Sequence, residues 1–496
     1  MRRALADLRQ LLPARRPLLS ASGMAVLAAC TLACHPATPP RPSTIVLVTV
    51  DTLRSDRTSF DGYRLPTTPF LDRLAREGVV FENAYATSSW TPPTMASIFT
   101  GVPPSTHGVV SGEMSESRKV RQPILPRSLP TIAERLQRLG FRTLGASSSR
   151  HLTADLGFAR GFDRFADAKA FLAGVAVNRN LHDLLVQEFG AGGRQKPQPR
   201  EGAAGGPPPP LFLWAHYFDP HDPYIPEPEW ISAQAPGVTG DEPDSPAFKV
   251  MLELKSLFPA PDAALAERIR PFYDSEIHRT DKLVESLFQE LALDENALFI
   301  LVADHGEGMA ERGLLGHSQN LYNELVHVPM IFWWPRGIPA GVRVERPVST
   351  LDILPTILAL LGEKPGNDLA GHALIPVWSA DAPETAAAPV FFELDPPKPR
   401  ARGVVEGKYK LIFHPAQPAS TELYDLSRDP GEKHNLATEM PDEVRRLRGQ
   451  LVTWTKAHPG APDRETRESS DEGLREDLQA LGYLDDGPQP AEAPEP

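Results

Sequence analysis

The sequence predicts an α/β fold, in which a doubly wound, mostly parallel sheet is followed by a small C-terminal antiparallel subdomain. Two runs, Thr44–Val50 and Ala297–Ala303, are continuously apolar or β-branched, as expected for strands that are covered on both faces. Helical periodicity recurs between runs of this kind over most of the chain. Beyond about residue 385, several short strand-like runs follow one another, which is typical of an antiparallel sheet.

The remaining elements follow from the same patterns. Shorter apolar runs predict strands at 143–146, 211–215 and 329–334. Apolar residues at helical spacing predict helices at Pro69–Glu77, from 97–99 onward, and at 129–139, 263–293 and 352–361. In the C-terminal part we expect strands at 390–393, 403–405, 409–413 and 422–426, closed by a helix at 442–456.

These elements divide the chain into predicted units. The main α/β domain covers 43–385 and includes a flexible surface insertion, rich in Gly, Pro and charged residues, at 191–210. The antiparallel subdomain covers 386–460. An acidic tail that ends in Pro-rich sequence covers 461–496.

The composition excludes several classes of protein. Across 496 residues, 51 Lys and Arg stand against 64 Asp and Glu, which gives a formal charge of −13. Such a charge disfavours a basic nucleic-acid-binding surface, so we expect no nucleic-acid partner. With 41% hydrophobic residues, the chain can bury a large core and is not wholly disordered or fibrous.

The N-terminal segment 1–34 reads as an export signal. Basic residues precede an apolar run at 17–32, whose length fits a secretory signal better than a permanent membrane helix. The run contains Leu-Ala-Ala-Cys ending at Cys30, which resembles the lipobox of bacterial lipoproteins; Cys34 ends a weaker second match. Plain secretion and a retained anchor are the alternatives.

We therefore expect an exported lipoprotein of a bacterium, in the periplasm or at the outer membrane, with Cys30 lipidated. Its lipid anchor would make the membrane a partner. The Pro-rich stretch 35–42 would be a tether between this anchor and the folded body.

Polar side chains follow the two strongest predicted strands directly. Asp51 comes after the first, and Asp304 and His305 come after the second. In open α/β sheets ligands collect outside the carboxyl ends of the strands. Two carboxylates and an imidazole gathered at one edge predict a metal site. The alternative is that both aspartates only cap the helices that follow them.

A series of ordered segments carries a family resemblance. They are VDTLRSD at 50–56, TTPFLD at 67–72, TSSWTPPTMASIFTG at 87–101, PSTHGV at 104–109, DPHDPY at 219–224, ADHGE at 303–307, GH at 316–317, YNE at 322–324, ELYDL at 422–426, and DP, E and NL between 429 and 436. With these segments the chain resembles the sulfatase family of the alkaline phosphatase superfamily over residues 43–460. The resemblance implies a sulfatase-like α/β catalytic domain.

The family nucleophile opens a Cys/Ser-x-Pro-x-Arg motif and is oxidised to formylglycine. Alignment with this motif places Thr91 at the nucleophile and Met95 where Arg is expected. We expect no formylglycine, because threonine is not a substrate for that oxidation. Related branches of the superfamily use threonine to attack phosphorus, through a phosphothreonine intermediate. Alternatively, Thr91 is only the N-cap of a helix at Ser97, or catalysis is lost.

The resemblance implies one divalent metal ion held by Asp51, Thr91, Asp304 and His305. Family sulfatases bind calcium with an Asp-Asp pair and an Asp-Asn pair, whereas this chain has one carboxylate fewer and an imidazole in place of an amide. Of Mn²⁺, Zn²⁺ and Ca²⁺, we therefore expect Ca²⁺ to fit least well. A second metal at Asp219 and His221 is a further alternative.

The remaining site residues are predicted to handle the substrate. His221 matches the family histidine that contacts the transferred group, and His317 falls where sulfatases have a lysine. Either could protonate the leaving oxygen. The other candidates for substrate binding are His216, His107 and Arg150. Because Met95 replaces an arginine, we expect a less charged substrate, such as a diester or phosphonate monoester.

The predicted function is metal-dependent hydrolysis of sulfate or of phosphate and phosphonate esters, through a Thr91 nucleophile. The substrate would be a small molecule or an ester of a glycan or lipid, and the threonine favours phosphorus over sulfur. A phosphoglycerol-type transferase at the cell envelope is one alternative. A catalytically inactive lipoprotein that binds anionic glycans is the other.

Overall fold

The computed structural model describes residues 41–110, 113–114, 119–168, 171, 173–190, 209–224, 227–234, 263–378, 388–395, 400–460 and 465–475. All of them belong to one compact unit that starts at Arg41. The predicted signal with Cys30, most of the tether and most of the insertion lie outside the described residues. Within the described ranges we find no helix with the length and hydrophobicity needed to span a membrane.

The elements are numbered in chain order. The strands are β1 (Thr44–Val50), β2 (Val79–Phe81), β3 (Ala84–Tyr85), β4 (Glu113–Met114), β5 (Val120–Pro123), β6 (Arg142–Ser147), β7 (Arg164–Ala166), β8 (Leu211–Tyr217), β9 (Ala297–Ala303), β10 (Gly308–Met309), β11 (Leu315–Gly316), β12 (His327–Val328), β13 (Met330–Trp333), β14 (Val342–Val344), β15 (Val348–Ser349), β16 (Val390–Leu394), β17 (Ala401–Glu406), β18 (Tyr409–Phe413), β19 (Glu422–Asp425) and β20 (Thr466–Ser469). The α-helices are α1 (Pro69–Glu77), α2 (Thr91–Thr100), α3 (Pro104–His107), α4 (Ile132–Arg138), α5 (Gly174–Phe189), α6 (Pro228–Gln234), α7 (Ala263–Leu291), α8 (Asn323–Val326), α9 (Ile353–Leu360) and α10 (Pro441–Ala457).

The central sheet has eight strands in the order β14-β2-β13-β9-β1-β8-β6-β7. Its pairs are parallel except at β13, which runs antiparallel to both of its neighbours. Every residue of β1, β8 and β9 is buried. Because successive side chains of a strand point to opposite faces, this burial means that both faces are covered. The predicted fold class is confirmed.

The register of the three central strands aligns their carboxyl ends. Val50 of β1 is paired with Tyr217 of β8 on one side and with Ala303 of β9 on the other. The next residues along β1 and β9, Asp51 and Asp304, therefore leave the sheet side by side. This alignment is what brings distant parts of the sequence to one site.

The C-terminal sheet has four antiparallel strands in the order β16-β17-β18-β19. Helix α10 covers one of its faces, where Leu447 and Leu451 pack against Val404 and Leu411. The other face packs against the main domain in a second cluster, which comprises Tyr85, Leu321, Leu325, Val326, Val390, Phe392, Leu394, Ala401, Val405, Ile412 and Tyr424. Both faces of this small sheet are therefore used for packing.

Several features differ from the sequence predictions, among them the start of helix α2, helix α5 and strand β20. Helix α2 begins at Thr91 and not near Ser97, because prolines at 92 and 93 are tolerated in a first helical turn. Helix α5 was not predicted, although its buried residues recur at helical spacing. In the predicted tail, β20 pairs antiparallel with β5 and so returns to the main domain.

Candidate active site

Two buried carboxylates lie together at the carboxyl edge of the central sheet. Asp51 and Asp304 are both fully buried. The Asp304 Oδ1 atom accepts hydrogen bonds from the backbone N–H groups of Thr52 at 3.3 Å and His305 at 2.8 Å. Its Oδ2 atom has no hydrogen-bond partner among the described residues. A buried carboxylate oxygen without a partner is costly, so this position favours a cation.

The environment of these carboxylates opposes their negative charge. Burial raises the pKa of Asp51 to about 7, although the charge of His221 acts against this shift. Burial, together with the neighbouring charge of Asp51, raises the pKa of Asp304 well above its usual value. Two adjacent buried carboxyl groups behave in this way when no cation offsets their repulsion.

His305 directs a bare nitrogen at both carboxylates. Its Nδ1 atom lies 2.8 Å from the carbonyl oxygen of Gly306, which can only accept, so Nδ1 carries the proton of the neutral ring. The Nε2 atom lies 3.3 Å from Asp51 Oδ1 and 3.7 Å from Asp304 Oδ2. Burial, with a further effect of His317, lowers the pKa of His305 well below its usual value.

Asp51, Asp304 and His305 thus fit a divalent cation. One ligand atom from each of the three residues lies within 4.8 Å of the others. The unpaired Asp304 Oδ2 and the unprotonated His305 Nε2 both face the same space. Oxygen ligands with one imidazole nitrogen are a donor set that divalent metals commonly accept.

Thr91 presents its hydroxyl to this group. It is the first residue of α2, and Trp90, the N-cap residue, is extended and makes no side-chain capping bond. Thr91 Oγ1 lies 3.3 and 3.4 Å from the carboxylate oxygens of Asp51 and 3.2 Å from His305 Nε2. The side chain is therefore turned to the three candidate metal ligands and does not cap the helix. Met95, one turn further on, belongs to the hydrophobic core.

Two more histidines border the site. The ring centroids of His305 and His317 are 4.5 Å apart, and those of His317 and His221 are 5.0 Å apart. His317 Nδ1 contacts Glu307 Oε1 at 3.1 Å. His221 Nδ1 lies 2.7 Å from the carbonyl oxygen and 3.0 Å from the carboxylate of Asp222. One nitrogen of each ring is thus held by an acidic neighbour.

The negative charge of the acidic neighbours raises the pKa of His221. Burial lowers its pKa, but the adjacent Asp222, with Asp51 and Glu307, outweighs burial and raises the pKa to about 9. His221 is therefore protonated at neutral pH and can donate a proton.

The other predicted substrate-binding residues have different positions. His216 lies at the site, with Nε2 3.8 Å from Asp51 Oδ2. The His107 ring contacts Ser97 Oγ and the carbonyl oxygen of Pro93, so it packs against helix α2. Arg150 donates to Asp471 at 2.6 Å, and this carboxylate lies in the C-terminal stretch.

The alternative second metal site lacks a free carboxylate. Asp219 Oδ2 accepts the backbone N–H of Gly174 at 2.6 Å, and Oδ1 lies 3.5 Å from Arg279. The only group of three or more potential ligands found in the described part of the chain is that of Asp51, Asp304 and His305.

The sequence interpretation gave no role to two residues that the structure brings to the site. His151 is buried between Trp90 and Phe171. Burial, with further effects of His221 and His317, lowers its pKa to about 3. Glu307 orients His317. His151 follows β6 and Glu307 follows β9, so their positions after parallel strands were an available signal.

Comparison with known proteins adds relatives to this geometry. The sulfatase family model matches residues 43–363, and a model of the C-terminal part of N-sulphoglucosamine sulphohydrolase matches residues 311–456. A Δ4,5-hexuronate-2-O-sulfatase of Bacteroides thetaiotaomicron is 27% identical over 74% of this chain and 79% of its own length. Human arylsulfatase A is 30% identical over 80% of this chain and 83% of its own length.

Solved structures share the fold. One in complex with D-glucosamine-2-N,6-O-disulfate has a TM-score of 0.66 at 17% identity, covering 85% of this chain and 98% of the other. A phosphonate monoester hydrolase of Agrobacterium radiobacter has a TM-score of 0.59 at 20% identity, covering 84% and 96%. The family match spans well over half of the sequence. The chain therefore belongs to the sulfatase family, with the alkaline phosphatase-like fold, and is a hydrolase of sulfuric or phosphoric esters.

Proposed function

We propose that this protein hydrolyses phosphodiesters or phosphonate monoesters of a small molecule, glycan or lipid, with Thr91 as the nucleophile. The observation that carries the proposal is the position of Thr91 Oγ1, 3.2 to 3.4 Å from His305 Nε2 and both carboxylate oxygens of Asp51. Sulfate esters, on which several relatives act by their names, are the competing substrate class.

The chemistry of threonine favours phosphorus. A formylglycine hydrate can release sulfate by collapsing to the aldehyde, but a sulfated threonine has no second hydroxyl for this route. A phosphorylated or phosphonylated threonine can instead be opened by attack of water on phosphorus. The nucleophile is therefore regenerated without any modified residue.

The charge of the site limits the substrate further. Around Thr91 the described side chains are mainly imidazoles, since Met95 lies in the core, and the nearby cation Arg150, whose charge acts on His151, is paired with Asp471. A site of this kind fits a reacting group with one negative charge better than the dianion of a phosphate monoester. Diesters, phosphonate monoesters and sulfate monoesters all carry one charge, so the nucleophile and not the charge distinguishes sulfur from phosphorus.

Asp51, Asp304 and His305, with Thr91, would hold one divalent cation, and the imidazole favours Mn²⁺ or Zn²⁺ over Ca²⁺. When bound, such a cation supplies Lewis acidity, which lowers the pKa of the hydroxyl and stabilises charge on the transferred group.

The reaction then has two steps, transfer of the phosphorus group to Thr91 and its hydrolysis by water. Thr91 Oγ1 forms a bond to phosphorus and its proton passes to Asp51, while the bond from phosphorus to the leaving oxygen breaks. His221 or His317 gives that oxygen a proton. Water next attacks phosphorus, the same histidine takes its proton, and the bond to Thr91 breaks as Asp51 returns the hydroxyl proton. Both histidines are held for this exchange by acidic neighbours.

Initial rates on matched 4-nitrophenyl esters test the proposal. We expect the metal-reconstituted protein to prefer bis(4-nitrophenyl) phosphate and 4-nitrophenyl phenylphosphonate over 4-nitrophenyl sulfate. Thr91→Ala should lower kcat/KM at least about 10³-fold, and Thr91→Ser, which keeps the hydroxyl, should retain part of the activity. A preference for sulfate, or activity that survives in Thr91→Ala, would overturn the assignment. Turnover only with an added acceptor alcohol would indicate a transferase.

We also propose that the protein is an exported lipoprotein anchored through Cys30, because a lipobox-like segment lies near the end of an apolar N-terminal run that basic residues precede. Expression of the full chain in a bacterium, followed by membrane fractionation, tests this. Cys30→Ala should release the protein from the membrane fraction, and Cys34→Ala is the matched control. Release by Cys34→Ala alone would move the anchor to the second cysteine, contrary to the proposal.

A further inference from the structure

His216 has a buried nitrogen that the mechanism above does not use. It lies near the carboxyl end of β8, opposite Thr49 of β1, and is fully buried. Its Nε2 atom has no hydrogen-bond partner among the described residues, although it lies 3.8 Å from Asp51 Oδ2. An unpaired polar nitrogen beside a buried carboxylate requires a physical explanation.

The other nitrogen of the ring is fixed. His216 Nδ1 lies 2.9 Å from Thr49 Oγ1, and Trp214 Nε1 donates to the same oxygen at 3.0 Å. The Thr49 hydroxyl can give its own proton to the carbonyl oxygen of Ala215, 3.4 Å away. In that arrangement Trp214 and His216 Nδ1–H occupy both lone pairs of the oxygen, and all three groups are satisfied.

This arrangement leaves His216 Nε2 as a bare lone pair. In the other tautomer Nε2 would carry a proton, but Asp51 Oδ2 is beyond hydrogen-bond distance, so a buried donor would be left unpaired. With the proton on Nδ1, Nε2 is also unpaired, but it then presents a lone pair to the carboxylate of Asp51. A cation between His216 Nε2 and Asp51 Oδ2 would bind both atoms, whereas a proton cannot form a hydrogen bond across the 3.8 Å that separates them.

We propose that His216 Nε2 is a further ligand of the cation held by Asp51, Asp304 and His305, an inference that rests on the metal site of the proposed function. Two atoms bound to one ion at about 2.1 Å lie no more than about 4.2 Å apart. The distance of 3.8 Å from Asp51 Oδ2 satisfies this limit, as does the 3.7 Å between His305 Nε2 and Asp304 Oδ2. No choice of one ligand atom per residue brings His216 within 4.8 Å of all three other residues, so at least one of these distances must shorten when the cation binds.

The proposal gives the site two imidazoles with two carboxylates. Such a set discriminates against Ca²⁺, which prefers six to eight oxygen ligands, and favours Mn²⁺ or Zn²⁺. The Trp214 and Thr49 contacts then fix the ligating tautomer, as outer partners of metal-bound histidines commonly do.

Counting nitrogens on a bound probe metal tests the proposal without turnover. The full chain is stripped with a chelator, loaded with one equivalent of Cu²⁺ and studied by pulsed EPR, which detects coupled imidazole nitrogens. We expect two imidazoles in the wild type and one in His216→Asn, whose amide can still reach Thr49. His151→Asn, a matched change at another buried histidine near the site, should keep two.

Affinity provides the second readout. By calorimetry, the Kd for Mn²⁺ should rise about 10- to 100-fold in His216→Asn, whereas binding of Ca²⁺ should change little. Thr49→Val keeps the ring but removes its tautomer lock, so it should keep two imidazoles and weaken Mn²⁺ binding by a smaller factor. Comparable melting temperatures of the metal-free proteins exclude misfolding.

One imidazole in the wild type, or two in His216→Asn, would overturn the proposal and leave the Thr91 hydrolase untouched. No stoichiometric binding of Cu²⁺ or Mn²⁺ would overturn the metal site itself. Turnover that survives in Thr91→Ala, with two imidazoles on the metal of the wild type, would instead overturn the Thr91 assignment and leave the His216 proposal intact.

Discussion

The hydroxyl of Thr91 lies between a carboxylate and an imidazole, and helix α2 needs neither contact. A residue that only began a helix would place its side chain near the free N–H groups of the first turn. Thr91 is instead turned away, onto Asp51 and His305. The prolines at 92 and 93 remove two of the N–H groups that a cap would satisfy. Local structure thus frees this hydroxyl for chemistry.

The contribution of His221 or His317 to kcat/KM should depend on the leaving group. A general acid contributes most when the leaving oxygen is strongly basic. We expect the histidine that acts as the acid, when changed to Asn, to lower kcat/KM about 10²-fold or more for phenyl esters but much less for 4-nitrophenyl esters. Paired rates for His221→Asn and His317→Asn identify it. Equal losses on both esters in both variants would mean that neither histidine protonates the leaving group.

For single residues, the sequence predicted which ones follow the strands at the site, but not where each side chain points. Asp51, Asp304 and His305 could be placed because each follows a buried parallel strand. The sequence could not show that Arg150 turns to Asp471, since the two residues are 321 positions apart. Nor could it show that the His107 ring faces Ser97 and Pro93. Side-chain direction depends on such distant packing partners.

Among the elements, α1 is joined to α7 by a buried carboxylate. Asp281 of α7 accepts hydrogen bonds from the backbone N–H groups of Phe70 and Leu71, at 2.8 and 2.9 Å, in the first turn of α1. Burial nevertheless raises the pKa of Asp281 to about 7. The unfolded chain has an Asp pKa of about 3.9. Between these values the folded state holds a proton that the unfolded state has lost.

The free energy of unfolding should therefore contain a contribution from Asp281 that is present below about pH 4 and is lost as the pH rises through about 7. Asn at this position does not titrate, so the stability of Asp281→Asn relative to the wild type should improve by roughly 4 kcal/mol between pH 4 and pH 8. Urea unfolding at both pH values measures this difference. Asp442→Asn, at an exposed helix start, controls for altered charge. A pH-independent difference for Asp281→Asn would contradict the expectation.

The elements themselves were predictable where the pattern was strong. Strands β1, β8 and β9 are apolar throughout because both faces of the sheet are buried. The start of α2 was misplaced because apolar periodicity begins only near Ser97, whereas the helix begins at Thr91 and has its two prolines in the first turn. The short strand β20 depends on a partner, β5, that no local pattern reveals.

Across the whole molecule, hydrogen bonds of Asn323 connect a buried ion pair of the C-terminal subdomain to helix α8. Lys410 Nζ lies 2.7 Å from Glu432 Oε1, and both side chains are fully buried. Lys410 also donates to Asn323 Oδ1 at 2.8 Å, and the Asn323 backbone N–H donates to Glu432 Oε2 at 2.7 Å. The three groups link the two parts of the chain through one closed network.

Removal of the lysine should leave a buried carboxylate without its nearest cation. We expect Lys410→Met to lower the free energy of unfolding by about 3 kcal/mol or more, and the double change with Glu432→Gln to cost less than Lys410→Met alone. Lys408→Met, which breaks a surface pair with Asp425, is the control and should be nearly neutral. Denaturant unfolding compares the four proteins. Equal stability of Lys410→Met and the wild type would show that the pair is not needed.

Fold class and family were predictable for the whole molecule because many ordered segments agree with one topology. The docking of the small sheet was not, since it depends on the second cluster around Tyr85 and Phe392, which combines residues from three distant segments. We propose the boundaries 43–385 and 386–460 for the two units; limited proteolysis of the full chain would test them.

The most direct test of the central claim is to locate the transferred group on the protein. Wild-type protein is mixed with 4-nitrophenyl phenylphosphonate, quenched in acid within the first turnover, digested and mapped by mass spectrometry. We predict a phenylphosphonyl group on Thr91 that appears with the first 4-nitrophenol and is lost as phenylphosphonate forms. An adduct on another residue, or release of 4-nitrophenol without an adduct on Thr91 at any time, would contradict the account.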